Sequence, residues 1–142
     1  MRISAKIDYA CRALLELSLH WPNSVPMQIN NIAKSQQIPM KFLTQILLNL
    51  KQVGYVQSVR GKKGGYLLAK APQKIHLNEL IESLGGVGFS ATENKQTDNN
   101  DHTMDLIWNE IDKVVLKTMA EFNFESICDR KRSRDRSFMF QI

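Results

Sequence analysis

At 142 residues and 43% hydrophobic content, the chain can bury one core and is too short for several. A net charge of +5 favours an anionic partner. The absence of any apolar run of 18 residues excludes a membrane-spanning helix, and two cysteines are too few for a disulfide framework, so a reducing cytoplasm is expected. The charge is unevenly placed. Residues 1–84 hold 11 Lys/Arg against 4 Asp/Glu, residues 85–125 hold 3 against 8, and residues 126–142 hold 5 against 2. No P-loop, Cys/His pair or paired carboxylates of a catalytic site stand out, so the chain is not read as an enzyme.

Residues 4–20 predict a helix with Ser4 as its N-cap and Ile7, Ala10, Cys11, Leu14, Leu17 and Ser18 on one face. Trp21-Pro22 ends it. A short helix is expected at 30–36, capped by Asn30, with Ile32 and Ala33 inward. After the turn at Gln37-Ile38-Pro39, a helix over 39–53 takes Pro39 in its first turn. Phe42, Leu43, Ile46, Leu47, Leu50 and Val53 form its apolar set, while Lys41, Thr44, Gln45, Leu48, Asn49, Lys51 and Gln52 form the other face. Gly54 is a helix stop.

Two β-type runs follow, Tyr55–Val59 and Gly65–Leu68. Between them lies a basic, glycine-rich turn: Arg60, Gly61, Lys62, Lys63 and Gly64. Two short helices, a tight turn between them and a hairpin with a cationic tip give the order of a winged helix-turn-helix. In that fold the second helix enters the major groove and the hairpin tip reaches phosphate or minor groove. A solvated helix face and a solubilising hairpin are the alternatives for either element taken alone.

Beyond the hairpin, residues 74–84 read as an amphipathic helix carrying Ile75, Leu77, Leu80, Ile81 and Leu84, broken by the glycines from Gly85. Residues 90–101 lack apolar periodicity and read as a surface loop. A long helix over 103–124 carries Met104, Ile107, Trp108, Ile111, Val114, Val115, Thr118, Met119 and Phe122 as a continuous stripe. Such a stripe needs a second surface, and an identical chain is the simplest supplier. The remaining residues read as a charged, mobile tail in which Cys128, near Arg130, Lys131 and Arg132, is a candidate reactive thiol.

The opening residues 1–20, the pair Ile32-Ala33, the Ile38–Leu50 helix and above all Ser58-Val59-Arg60-Gly61, Gly64-Gly65-Tyr66 and Leu68 carry a resemblance. With Leu80-Ile81 and Trp108, they make the chain resemble the Rrf-two family of bacterial winged-helix regulators, which includes IscR, NsrR and CymR, over residues 1–125. The resemblance implies a mainly α fold: a winged helix-turn-helix DNA-binding domain (1–84) with a small β-hairpin wing, a loop (85–102), a long C-terminal dimerisation helix (103–125) and a basic tail (126–142). It implies a homodimeric transcriptional regulator on a near-palindromic stretch of double-stranded DNA. Lys41, Thr44 and Gln45 would enter the groove, with Arg60, Gly61, Lys62 and Lys63 at the wing. Ile107, Ile111, Val114, Val115 and Met119 would form the dimer interface. Where several relatives carry a Glu that tunes sequence choice, this chain has Thr44.

The chain departs from the family at its cofactor. Many members hold three cysteines between wing and long helix as iron–sulfur ligands, and none lies between residues 12 and 127 here. No metal or cluster is therefore expected. The weaker alternative is an unusual site built from Asp8, His102 and Asp105, which would make the protein an iron–sulfur or redox sensor. A third reading, allowed by the resemblance to CymR-type members, is control by complex formation with a metabolic enzyme.

Overall fold

The computed structural model describes residues 2–22, 24–87 and 101–140. Helix α1 spans Ala5–Leu19, α2 Ile29–Gln36 and α3 Met40–Gln52. Strands β1 (Val56–Val59) and β2 (Gly65–Leu68) form one antiparallel hairpin, with Val56 opposite Leu68 and Val59 opposite Gly65. A 3-10 turn at Pro72–Lys74 leads to α4 (Leu77–Ser83), and α5 (Thr103–Ala120) and α6 (Phe124–Phe140) complete the chain. The mainly helical fold with a single hairpin matches the expected class.

The core grows from the helical periodicity of the first three helices. Ser4 caps α1, its hydroxyl accepting the Ile7 N–H at 3.3 Å. Ala10, Ala13, Leu14 and Leu17 of α1 are buried against Ile32 and Ala33 of α2 and Leu43, Ile46, Leu47 and Leu50 of α3. Each fully buried Leu or Ile contributes roughly 1.5–3 kcal/mol over an exposed one. Ser18 is buried as well, its hydroxyl donating to the Leu14 carbonyl at 2.6 Å, so its polar atom is satisfied within the helix.

Several expectations need correction. Gln28, not Asn30, is the N-cap of α2. Met27 is held extended by exchanging backbone hydrogen bonds with Tyr66 at 3.0 and 2.8 Å, and the helix starts as soon as that pairing ends. Pro39 is the N-cap of α3 rather than a first-turn residue. Phe42 and Val53, expected on the apolar face of α3, are both exposed, Phe42 by 48%. Leu43, Ile46, Leu47 and Leu50 already fill the inward stripe, so Phe42 is displaced to its edge, where its ring stacks on Tyr9 at 6.3 Å between centroids. The expected 74–84 helix divides into the 3-10 turn and α4, with Ile75 fully buried at the joint.

The largest difference is at the C-terminus. The long helix ends at Ala120, and the tail is a second helix instead of a mobile segment. Between them the chain turns aside to pair with residues 75–77: the Leu77 N–H donates to Phe122 O at 2.9 Å and the Phe124 N–H to Ile75 O at 3.0 Å. Asn123 then starts α6 with a reciprocal cap. Its side-chain oxygen accepts the Ser126 N–H at 2.8 Å, while the Ser126 hydroxyl oxygen accepts the Asn123 N–H at 3.3 Å. Phe124 and Cys128 are buried, and α6 packs on α1 and on the 3-10 turn. Except for Asp101, the expected loop at 90–101 lies outside the described residues.

Candidate nucleic-acid interface

The sequence-predicted residues sit on two exposed elements that the backbone ties to one another. On α3, Lys41, Thr44 and Gln45 are exposed, as are Arg60, Gly61, Lys62 and Lys63 at the hairpin tip. The tip closes through the Gly64 N–H donating to Gly61 O at 3.0 Å. Behind it, Gly65 adopts φ +156 and its backbone lies so close to Met27 that a Cβ would overlap the Met27 carbonyl. The absent side chain is what lets β2 pair with the segment entering α2.

Three further contacts brace the hairpin. The Gln28 amide donates to the Lys62 carbonyl at 3.3 Å, tying the start of α2 to the tip. Lys51 Nζ donates to the Ser58 hydroxyl at 2.7 Å, joining the last turn of α3 to β1. At the exit of α3, the Tyr55 N–H donates to Leu50 O at 2.9 Å. The wing's backbone is therefore tied to the start of α2 at its tip and to the last turn of α3 at β1. Gln28 was not among the residues singled out from sequence. A polar residue next to an extended Met is its only local signature, and the partner is 34 residues away.

On α3 itself, the Thr44 hydroxyl donates to the Met40 carbonyl at 3.0 Å, so it keeps its acceptor capacity and its methyl group for a ligand. Gln45 Nε2 donates to Asn49 Oδ1 at 3.2 Å. Lys41 Nζ lies 5.0 Å from the centroid of the Phe42 ring. Cations for phosphate, hydroxyl and amide groups for base edges, and a Gly-containing tip that allows close approach are the chemical set that duplex DNA requires.

The face proposed for dimerisation divides in two. Met104, Leu106, Ile107, Ile111 and Val114 are exposed on α5. Val115, half-buried, packs against a small cluster of Ile7, Ile81 and Met119. Met119 therefore differs from its expected place: it is buried within its own chain against α1 and α4.

The three candidate metal ligands do not form one group. Asp8 pairs with Arg12 at 3.0 Å on α1, and His102 Nδ1 lies 3.5 Å from Asp105 at the exposed start of α5. Among the described residues no group of three His, Cys, Asp or Glu side chains could hold a metal ion. Both thiols are held protonated. Burial, with the Asp8 charge adding to it, pushes Cys11 up to about 11. Burial also pushes Cys128 up to about 11, with Arg132 opposing and Glu125, Asp129 and Glu16 reinforcing. The expectation of a reactive Cys128 in a mobile tail is corrected: desolvation outweighs the nearby cations because the thiol lies in the core.

The sequence pattern of the Rrf2 family, described as an iron-dependent transcriptional regulator, matches residues 3–130. A protein of Synechocystis named as a helix-turn-helix-type transcriptional regulator is 38% identical over 84 residues, which cover 59% of this chain and 56% of that one. The chain thus spans about half the length of that relative. The regulator IscR of Photorhabdus laumondii is 29% identical over 139 residues, covering 95% of this chain and 84% of its own. Among solved structures, CymR, the global cysteine regulator of B. subtilis, is 25% identical with a TM-score of 0.76, covering 92% of this chain and 98% of its own. An iron–sulfur cluster, which is held chiefly by thiolates, does not fit the donors here: the chain has two cysteines, Cys11 half-buried on α1 and Cys128 buried on α6, too few to hold one.

Proposed function

The chain belongs to the Rrf2 family of transcriptional regulators, and from that premise we propose that it is a cytoplasmic homodimer that binds a near-palindromic operator without an iron–sulfur cluster. Residues 1–84 act as the DNA-binding domain, with α3 in the major groove and the hairpin tip at the minor groove. Lys41, Lys62 and Lys63 neutralise phosphate, Thr44 and Gln45 face base edges, and Arg60 with Gly61 enters the minor groove. The observation that carries this reading is the bracing of a cationic wing against both helices of the pair, to α3 through Lys51–Ser58 and to the start of α2 through Gln28–Lys62. A hairpin kept only for solubility has no need of a fixed position relative to a helix.

The dimer is read from α5. Met104, Ile107, Ile111 and Val114 recur at spacings of 3, 4 and 3 residues, all exposed, which is the seam spacing of paired helices. Two such domains on one duplex make the second contact intramolecular and raise affinity without further contacts.

Enrichment of duplexes from a random library, followed by titration of the winner with Arg60→Ala, tests the interface. The reading expects a loss of about 1–3 kcal/mol for a groove-reading arginine. Undiminished affinity in that variant would remove the wing from the interface.

A further inference from the structure

We propose that Asn49 is a positioning residue that orients the Gln45 amide to read an adenine in the operator. This deepens the assignment of α3 to the major groove and rests on it. Gln45 and Asn49 are one helical turn apart, and the Gln45 amide nitrogen donates to Asn49 Oδ1 at 3.2 Å. The consequence lies in what that bond leaves over. A glutamine amide has two N–H donors and one carbonyl acceptor. With one N–H spent on Asn49, a single N–H and the carbonyl Oε1 remain, and Gln45 is exposed.

One donor beside one acceptor is the complement of the adenine major-groove edge, where N7 accepts and the N6 amino group donates. Guanine presents two acceptors, N7 and O6, and would leave Oε1 facing an acceptor. Rotating the amide by half a turn would place Oε1 against Asn49 Oδ1, oxygen to oxygen, so the bond resists that flip for as long as Asn49 presents its oxygen. Asn49 itself is half-buried in the side of α3 facing Tyr9 and Phe42, where both amides line an apolar recess with Ala5, Lys6 and Ile46. That recess favours the two amides bonding each other over bonding its apolar walls.

The test uses the full-length protein and a duplex enriched by it from a random library. Each adenine in the enriched duplex is replaced in turn by 7-deazaadenine, which lacks the N7 acceptor. The wild type is expected to lose at least about fivefold in affinity at one adenine per half-site, the lower end of a bidentate contact. Asn49→Ala is expected to lose that discrimination, to within about twofold, while the salt dependence that reports phosphate contacts stays the same. Asn49→Asp, which keeps an acceptor in place, is expected to retain the discrimination even though its charge weakens binding to every duplex. A merely helix-stabilising role for Asn49 would lower affinity for all duplexes alike and leave the discrimination intact. Discrimination that survives Asn49→Ala, or that no adenine shows, overturns the inference alone. Failure of the wild type to enrich any sequence overturns the assignment of α3 and the inference with it.

Discussion

Gly65 is the residue on which the wing's attachment depends most directly. A methyl group there would meet the Met27 carbonyl on a backbone already at φ +156, so the strand must move or the bridge to Met27 must break. Gly65→Ala is expected to lower stability by about 1–3 kcal/mol in denaturant unfolding and to weaken DNA binding beyond that loss. Equal stability with weakened binding would mean that the glycine serves the DNA and not the hairpin. The two thiols make a second residue-scale prediction. Each folded-state pKa, about 11, lies above the ordinary thiol value of 9.0. The unfolded chain therefore releases these protons first as pH rises. The stability they confer is complete below pH 9 and is lost progressively as pH climbs from 9 to 11. Thiol-reagent kinetics check this: native protein at pH 7.5 is expected to react slowly at both positions, and guanidinium-unfolded protein to react fast.

Among the elements, α5 makes the plainest demand on a partner. Ile111 sits mid-seam, and Ile111→Asp would bury an unpaired carboxylate in each half of a dimer, a cost of several kcal/mol. Sedimentation is expected to show a dimer for the wild type and a folded monomer for the variant at micromolar concentration. A wild-type monomer would contradict the role given to α5. How far each element was legible follows from where its information lies. Helices α1 and α3 and the hairpin could be read locally, because apolar periodicity and glycine placement specify them within a few residues. Phe42 was misassigned because periodicity places it on the stripe's edge, and only Tyr9 on another helix decides which side of the edge it takes. The α6 helix was missed because its composition from Asp129 to Arg136 is that of a solvated tail. Its specification lies in Asn123, Phe124, Ser126 and Cys128, two caps and two core residues whose partners are on α1 and the 75–77 segment. The Asn-x-x-Ser spacing was the available local signal. Of the proposed site, the exposure of the cations and Gln45 follows from their place off the apolar stripe and at a hairpin tip, whereas the bracing by Gln28 joins residues too distant in sequence for local pattern to show.

For the whole molecule, charge, wing and helix pair converge on one surface chemistry. Residues 1–84 hold 11 of the 19 Lys/Arg, and the Gln28–Lys62 and Lys51–Ser58 bonds brace the cationic hairpin against α2 and α3. The positive balance of residues 1–84 fits the anionic polymer proposed as the partner. The central claim is that the wing and α3 of a dimer grip duplex DNA, and counterion release measures that grip. Affinity for an enriched duplex should be titrated across a range of salt concentrations, for the wild type and for the double variant Arg60→Ala, Lys62→Ala. The logarithm of affinity is expected to fall linearly with that of salt, at about −0.9 for each phosphate neutralised. With the wing cations removed from both protomers, the slope is expected to shrink in magnitude by about 2 to 4. Affinity and slope both unchanged in the double variant would contradict the account.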